Sequence, residues 1–512
     1  MEHVPWWQSA VVYQIYPRSF ADANGDGVGD LQGIRSRLDY LQWLGVDVLW
    51  LSPVFRSPMA DFGYDVSDYC AIDPIFGTLN DMDELIADSH RRDMRLMLDW
   101  VPNHTSDQHP WFQESRRDRT NPKAEWYVWR DQPANNWLGS FRQGTSAWDY
   151  DEQRGQYYLH CFLREQPDLN WDHPDVEEAM HDSLRFWLDR GVDGFRMDVV
   201  HLIGKNIEVD DPPAAVERGF SHVPFNDVDV THERLRGIRQ VLDGYPGERA
   251  SVGEVYLLDE AAMATYYGED DELHLSFNFS FLWAKWNAGV LRNKISNTLS
   301  HLQPRGAWPT WVLSNHDVPR HRGRYGGDED AARMAAVMLL TLPGTPFMYQ
   351  GEELGLIDAI VDPARQLDPG GRDGCRAPLP WDASAEHGWP HQPWLPFAPE
   401  PETRNVESLR SDESSILNLY RNLLTIRATN RCLNSGAFCM IERDDDVLAY
   451  ERIDGSQRVV IALNLGDSPA RVDQLDGGRL LLESRSTLDQ RDAITVSNAT
   501  VAPHGAVIAV FA

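Results

Sequence analysis

A chain of 512 residues, 42% hydrophobic and 25% charged, carries enough apolar material for one large core with smaller satellites, as an ordinary globular protein does. Its 47 Lys+Arg stand against 79 Asp+Glu, a formal net charge of -32, and a field of that sign repels phosphate backbones and anionic lipid, which excludes nucleic-acid and membrane-surface partners. Five cysteines (Cys70, Cys161, Cys375, Cys432 and Cys439) without a C-x-x-C pair, no signal-peptide pattern and no apolar run of membrane-spanning length predict reduced thiols and a cytoplasmic location.

Strand-like apolar runs alternate with helix-period segments from the start, which predicts a parallel α/β sheet. Val11 to Tyr16 is the first strand, Leu31 to Leu44 a helix closed by Gly45, Val46 to Leu51 the second strand and Asp81 to Arg91 a second helix. Arg95 to Val101 is the third strand. From about Thr105 to Trp171 the sequence is rich in Trp, Tyr, Asn, Gln and Pro, and an inserted subdomain accounts for so long an interruption. Regularity returns with a helix over Val176 to Arg190, a fourth strand at Gly194 to Val200, a helix at His232 to Leu242, and strands at Ala250 to Glu254, Leu273 to Phe277, Trp311 to Leu313 and Pro346 to Tyr349. Helices cover Asp330 to Leu340 and Ser415 to Ala428. Short alternating strands then predict a small all-β domain.

The fold expected is a (β/α)8 TIM barrel with a subdomain inserted after strand 3 and a C-terminal β-sandwich. Its predicted parts are residues 1–104 and 173–430 for the barrel, 105–172 for the insertion and 431–512 for the last domain. A doubly wound open sheet is the alternative, but no G-x-G-x-x-G follows the first strand. There is no internal repeat.

In a barrel the chemistry sits at the C-terminal ends of the strands. Polar residues collect there: Asp99-Trp100-Val101-Pro102-Asn103-His104 after strand three, Arg196-Met197-Asp198 on strand four, Gly253-Glu254 after strand five, and Ser314-Asn315-His316-Asp317 after strand seven. Alternation puts Arg196 and Asp198 on one face of their strand, and taken alone this pair reads as a partly buried salt bridge. Four polar strand ends on one rim read as a site. No G-x-S-x-G elbow and no H-E-x-x-H appears. Two carboxylates on neighbouring strands suit attack at an acetal carbon, one as nucleophile and one as acid. Arg196 is expected to keep Asp198 ionised, Glu254 to act as the acid with a raised pKa, and Asp317 to grip hydroxyls and help hold Glu254 protonated by repulsion.

These residues carry a resemblance to glycoside hydrolase family 13, the α-amylase family. The motifs DWVPNH (Asp99–His104), QPDLNW (Gln166–Trp171), GFRMDVV (Gly194–Val200), GEVY (Gly253–Tyr256) and SNHD (Ser314–Asp317) stand in the family's order over most of the chain. The resemblance implies Asp198 as nucleophile, Glu254 as general acid/base and Asp317 as transition-state stabiliser, with Arg196, His104 and His316 binding the sugar at the cleaved end. QPDLNW and the opening stretch resemble the oligo-1,6-glucosidase and α-glucosidase branch. There Asp61 and Tyr64 would hold a terminal glucose, Asp61 paired with Arg372 of GRDGCR, and Arg376 is a second candidate arginine. Phe141 and Phe162 would wall the pocket, or serve packing alone.

Asp22-Ala23-Asn24-Gly25-Asp26-Gly27-Val28-Gly29-Asp30 places side-chain oxygens at positions 1, 3, 5 and 9 of a loop, with the Val28 carbonyl at 7. Asp22, Asn24, Asp26, Val28 and Asp30 are therefore candidate ligands of a structural calcium, and the loop resembles the calcium loop of this branch; no organic cofactor is expected. In amylases the asparagine matching Asn103 helps bind another calcium, and no partner set for that one is evident.

The function implied is an exo-acting retaining α-glucosidase that releases glucose from short oligosaccharides or disaccharides, with some transglucosylation. Val199, next to the nucleophile position, resembles members that cleave α-1,6 bonds. The residues after GEVY and around GRDGCR resemble α-glucosidases of broader or α-1,4 preference, and linkage stays open. The alternatives are a strict oligo-1,6-glucosidase and a sucrose isomerase or trehalose synthase. A non-enzymatic relative would have lost the carboxylates that this chain keeps.

Overall fold

The computed structural model describes residues 4–141, 144–485 and 494–511. Eight parallel strands form one sheet: Val12–Ile15, Val48–Leu51, Arg95–Trp100, Gly194–Met197, Ala250–Gly253, Leu275–Ser276, Thr310–Val312 and Thr345–Tyr349. In space they follow chain order round a barrel, strand one lying between strands two and eight. Their side chains are buried almost throughout, as a barrel whose inner face packs on itself and whose outer face is covered by helices requires.

The backbone ladder runs from strand seven through strands eight and one round to strand six and does not close between six and seven. Strand six holds only two ladder residues, against the five expected, and strand seven is Thr310–Val312 instead of Trp311 to Leu313. A side chain crosses the seam instead: Thr310 Oγ1 donates to the Ser276 carbonyl at 2.5 Å.

Two expected elements end differently. The helix at Leu31 to Leu44 is two, Leu31–Ser36 and Leu38–Leu44, broken at Arg37 (φ −108°, ψ 7°), whose guanidinium lies over the Trp381 ring at 4.2 Å. Strand four stops at Met197, three residues short of Val200. The pairing that holds it continues one step further, with Asp198 N–H donating to Trp100 O at 2.9 Å and Glu254 N–H to Met197 O at 2.8 Å. Asp198 is therefore the first residue above the strand, held by that last ladder bond.

The helices start where small polar caps permit. Thr78 and Asp81 form a reciprocal capping box for Leu79–His90, and Ser415 caps Ile416–Thr429. The segment after strand three contains an antiparallel sheet of Trp129–Arg130, Gln156–Leu159 and Trp148–Asp151. After the last helix the chain forms a five-stranded antiparallel sheet and a separate two-stranded one. A small two-stranded unit, Phe55–Arg56 with Asp68–Ile72, was not apparent in the sequence, and the loop between its strands carries Asp61 and Tyr64. All five cysteines are free thiols. No helix among the described residues is long and apolar enough to cross a membrane.

Candidate active site

At the C-terminal rim of the barrel opens a cavity of about 1030 Å³, with Asp198, Glu254 and Asp317 in its wall. Asp61, Tyr64, His104, Phe141, Phe162 and Arg372 also line it. Arg196, His316 and Arg376 stand behind that wall, each buried.

Arg196 is the hub of the floor. One guanidinium nitrogen, Nη1, donates to Asp99 Oδ1 at 2.6 Å, to Asp198 Oδ1 at 2.8 Å and to Tyr64 Oη at 3.2 Å. The other, Nη2, pairs with Glu254 Oε2. The three carboxylates reach it from the ends of three adjacent strands, so one cation serves three acids. Asp99 was visible in its motif but given no role; it also accepts from Trp50 Nε1 at 3.3 Å and from Tyr64 Oη at 3.1 Å, and so fixes the aromatic wall to the arginine.

This sharing overturns the expectation that Arg196 keeps Asp198 ionised. Burial pushes the Asp198 carboxyl well above its usual range, and although Arg196 opposes this, Glu254 and Asp99 add to it. Asp99 is pushed up to about 7, again by burial first. One positive charge cannot offset three negative ones in a dry floor, so the cluster retains protons that isolated carboxylates would have lost.

Asp317 is in the opposite situation. Arg372 Nη1 donates to its Oδ1 at 2.8 Å and Arg376 Nη2 at 3.2 Å. Burial raises its carboxyl, but His316, Arg372 and Arg376 together outweigh burial and hold it below its usual range. A carboxylate so neutralised is a poor source of repulsion toward Glu254, contrary to the expectation. Asp368, which no signal in its irregular stretch marked, accepts from Arg372 Nη2 at 2.7 Å and Arg376 Nη1 at 3.0 Å and locks the two arginines together.

Arg372 Nη2 also donates to Asp61 Oδ1 at 2.6 Å, and the Phe141 ring lies 4.7 Å from its guanidinium. Asp61 Oδ2 accepts from Gln166 Nε2 at 3.1 Å, and that amide also lies 3.1 Å from His104 Nε2. These contacts run as one chain across the inner end of the cavity and close it. Phe162 tilts against His104 at 5.1 Å and Phe141 at 5.9 Å.

His316 is neutral, because burial drives its pKa well below the ordinary imidazole value. Its Nδ1 lies 2.7 Å from Gln14 Nε2, an amide donor, which leaves the proton on Nε2, beside Tyr64 Oη and 3.2 Å from Asp317 Oδ2. Its ring stacks on Tyr64 with centroids 5.4 Å apart. His104, lowered to about 4 by burial, has an amide nitrogen beside each ring nitrogen, Asn103 Nδ2 at 3.1 Å from Nδ1 and Gln166 Nε2 at 3.1 Å from Nε2.

Val199 has φ 33° and ψ 43°, a left-handed conformation that a β-branched residue adopts at a cost of about 1–3 kcal/mol. The turn aims its N–H at Glu254 Oε2, 3.3 Å away, and packs its side chain with Cys161, Leu202 and Val223. Nothing in the sequence marked it as strained.

In the loop at 22–30 the side chains turn inward on their own backbone. Asp22 accepts from Gly25 N at 2.6 Å and Gly27 N at 2.9 Å, Asn24 from Asp26 N at 2.9 Å, Asp26 from Val28 N at 2.8 Å, and Asp30 from Ala23 N at 3.0 Å. Among the described residues no three His, Cys, Asp or Glu side chains stand together as a metal cluster. An ion here would need the Asn24 amide oxygen and the Val28 carbonyl beside the carboxylates. Every donor in the set is oxygen, and each N–H engages one lone pair only, so the residues fit a hard cation. At Asn103 the positive charge is the protein's own: Lys205 Nζ lies 2.7 Å from Asn103 Oδ1 and 3.3 Å from Asp168 Oδ2.

The arrangement can donate a proton, attack from a carboxylate and stabilise a cation, and comparison with known proteins agrees with it. The family model of the alpha amylase catalytic domain matches residues 14–436. A probable alpha-glucosidase of Rhizobium meliloti is 42% identical over 514 residues, covering 92% of this chain and 93% of that protein. A glucan 1,6-alpha-glucosidase of Streptococcus pneumoniae is 38% identical, covering 90% and 92%. The crystal structure of the alpha-glucosyl transfer enzyme XgtA superposes with a TM-score of 0.91 at 40% identity, covering 100% of both chains.

Proposed function

The chain belongs to the α-amylase family and is a glycoside hydrolase of its α-glucosidase branch; from that premise we propose that it is an exo-acting, retaining α-glucosidase of short α-glucosides. The observation that carries this reading is the closed inner end of the cavity. The Asp61–Arg372 pair and the Arg372–Asp317 bond tie the loops together beside the catalytic carboxylates, where they would stop a longer chain from passing through.

In this reading the proton the floor retains stands on Glu254 in the reacting state, so that Asp198 attacks the anomeric carbon as a carboxylate while Glu254 gives that proton to the leaving oxygen. Water then loses a proton to Glu254 and displaces Asp198 with glucose in the α configuration. Asp198 and Glu254 held by neighbouring nitrogens of one guanidinium suit the ~5–5.5 Å carboxyl spacing of retaining enzymes better than the ~6.5–9.5 Å of inverting ones. Asp61, Tyr64, His104 and Arg372 would bind the glucose hydroxyls, with His316 behind them holding Tyr64 in place and Phe141 and Phe162 excluding water. Asp22, Asn24, Asp26, Val28 and Asp30 would hold a structural calcium or magnesium; a few degrees gained in Tm on adding the ion after chelation is the expected result.

The test compares maltose, isomaltose, sucrose and maltohexaose, with the first product's anomer read by NMR. Release of α-glucose from chain ends is expected. Rapid internal cleavage of the hexaose overturns exo action, β-glucose overturns retention, and sustained isomer formation from sucrose or maltose without free glucose would make the chain an isomerase.

A further inference from the structure

The loop at 57–65 puts Asp61 and Tyr64 in the cavity wall, and its backbone would not hold that shape unaided. Met59 (φ 68°) and Phe62 (φ 48°) are both left-handed without being glycine, and Gly63 follows at φ 110°. Left-handed residues so closely spaced need something to fix them, and the fully buried Asp65 supplies it. Its Oδ1 accepts from Asp61 N at 2.9 Å and from Ser57 Oγ at 2.9 Å, and its Oδ2 accepts from Ala60 N at 2.8 Å. Ser57 Oγ in turn accepts from Met59 N at 2.9 Å, and Tyr64 N donates to Asp61 O at 3.1 Å. The strained turn and both of its cavity-facing side chains therefore hang on one carboxylate.

That carboxylate has no counter-charge. No arginine, lysine or histidine among the described residues pairs with Asp65. The charged groups facing the turn are Arg18, whose guanidinium lies 5.1 Å from the Phe62 ring, and Asp73, which accepts from Ser57 N at 3.1 Å. On the cavity side stands Asp61 itself, facing Arg372, Arg376 and Asp368. Burial pushes Asp65 up to about 6, and Asp61 adds to the rise against the hydrogen bonds that oppose it. Each oxygen already faces a backbone N–H. A proton on either one sets donor against donor and weakens the bond to Asp61 or the bond to Ala60.

We propose that Asp65 is a positioning residue for the terminal sugar: its carboxylate clamps the turn that presents Asp61 and Tyr64, and protonation releases the clamp, so that sugar affinity falls in acid. The inference rests on the α-glucosidase reading, in which Asp61 and Tyr64 hold glucose hydroxyls. Asp65 lies outside the cavity wall and acts through the turn alone. By linkage, a sugar that needs the clamped turn drives the proton off Asp65 as it binds, and the release is largest near pH 6.

Calorimetry on the Glu254→Gln chain, whose blocked proton donor keeps the sugars intact, measures Kd for maltose, isomaltose and sucrose across pH. For a sugar that binds, Kd is expected to rise about five-fold from pH 7 to pH 5, with protons released on binding near pH 6. Adding Asp65→Asn should weaken binding at pH 7 about three-fold and shrink the change with pH to less than about half of the parent's. Ser57→Ala removes one bond to the carboxylate and keeps its charge, and it should move the midpoint of the Kd profile up by about half a unit; it serves equally if Asp65→Asn does not fold. A Kd constant from pH 7 to pH 5, a pH response unchanged in folded Asp65→Asn, or a midpoint unmoved by Ser57→Ala overturns the inference while sugar binding itself stands. Failure of all three sugars to bind at any pH overturns the α-glucosidase reading and this inference with it.

Discussion

Two arginine clusters, built from the same residue types a few side chains apart, hold their carboxylates in opposite states. In the floor a single cation, Arg196, is shared by Asp99, Asp198 and Glu254, and burial with mutual repulsion pushes Asp198 and Asp99 upward. At the closed end two cations, Arg372 and Arg376, serve Asp61, Asp317 and Asp368, and both Asp317 and Asp368 are held below the usual range. Asp61 marks the limit of that rule. It touches only one of the two arginines, and burial still leaves it raised. Having an arginine as a neighbour therefore does not settle whether a buried carboxylate is charged; the ratio of cations to anions and the depth of the site do. The floor keeps a mobile proton where chemistry needs one, and the closed end keeps fixed charges where geometry needs them.

The comparison breaks first if the floor is not the reacting centre. Asp198→Asn and Glu254→Gln are each expected to lower kcat by about four orders of magnitude with folding intact by circular dichroism. Next come the two cations. Arg196→Met should leave buried carboxylates without a counter-charge and lower kcat by about 10³-fold, whereas Arg372→Met, with Arg376 still in place, should act mainly on KM, raising it about 30-fold, the equivalent of ~2 kcal/mol. Equal losses in kcat from both variants would erase the distinction.

The shared proton gives a sharper test. Asp99→Asn removes one of the three negative charges, so both limbs of the kcat/KM pH profile should move to lower pH, by about one unit. A profile that does not move, in a variant that still turns over, would mean the floor carboxylates titrate independently.

Stability should follow a different set of groups. His104 and His201, lowered to about 4, and His109 and His274, lowered to about 3, are neutral in the folded protein and charge on unfolding. Their contribution is complete above the unfolded value of ~6.5 and is lost as pH falls from there toward 4. Asp99 at about 7 and Asp65 at about 6, with Asp47, Asp61, Asp107, Asp198, Glu353 and Asp358 also raised by burial, act in the opposite sense, gaining stability as pH falls. Removing one histidine of the lowered set, in His274→Gln, is therefore expected to make the Tm of the variant fall less, or rise more, than that of the parent chain between pH 6.5 and 4.5, measured by scanning calorimetry. The smallest effect expected is at Val199. Val199→Ala should change the maltose-to-isomaltose rate ratio by about three-fold, since it alters the wall beside Glu254 and leaves both clusters intact.

Most of the barrel was legible in the sequence because its evidence is local. Apolar runs of strand length alternate with 3.6-residue periodicity, and the polar residues of DWVPNH, GFRMD, GEVY and SNHD each stand at a strand's end. Element edges were less legible. Arg37 breaks a helix whose periodicity runs straight through it, because its guanidinium is taken by Trp381 some 340 positions away, and a pattern within one segment cannot report that. The short sixth strand and the open seam beside it were hidden for the same reason.

The sequence by itself determined the alternating architecture, the family and the set of acids, bases and arginines available to the site. Only the tertiary structure decided how those charges are apportioned. Arg196 meets Asp99 from one neighbouring strand and Glu254 from the other, and Arg372 joins Asp61 and Asp317 from two distant loops to Asp368 of its own stretch. The left-handed turn at Val199 and the gathering of Phe220, Leu258 and Trp283 on one rim belong to the same class. Protonation and recognition depend on distances across the barrel, and those distances are set by how strands pack, which no single stretch of the chain contains.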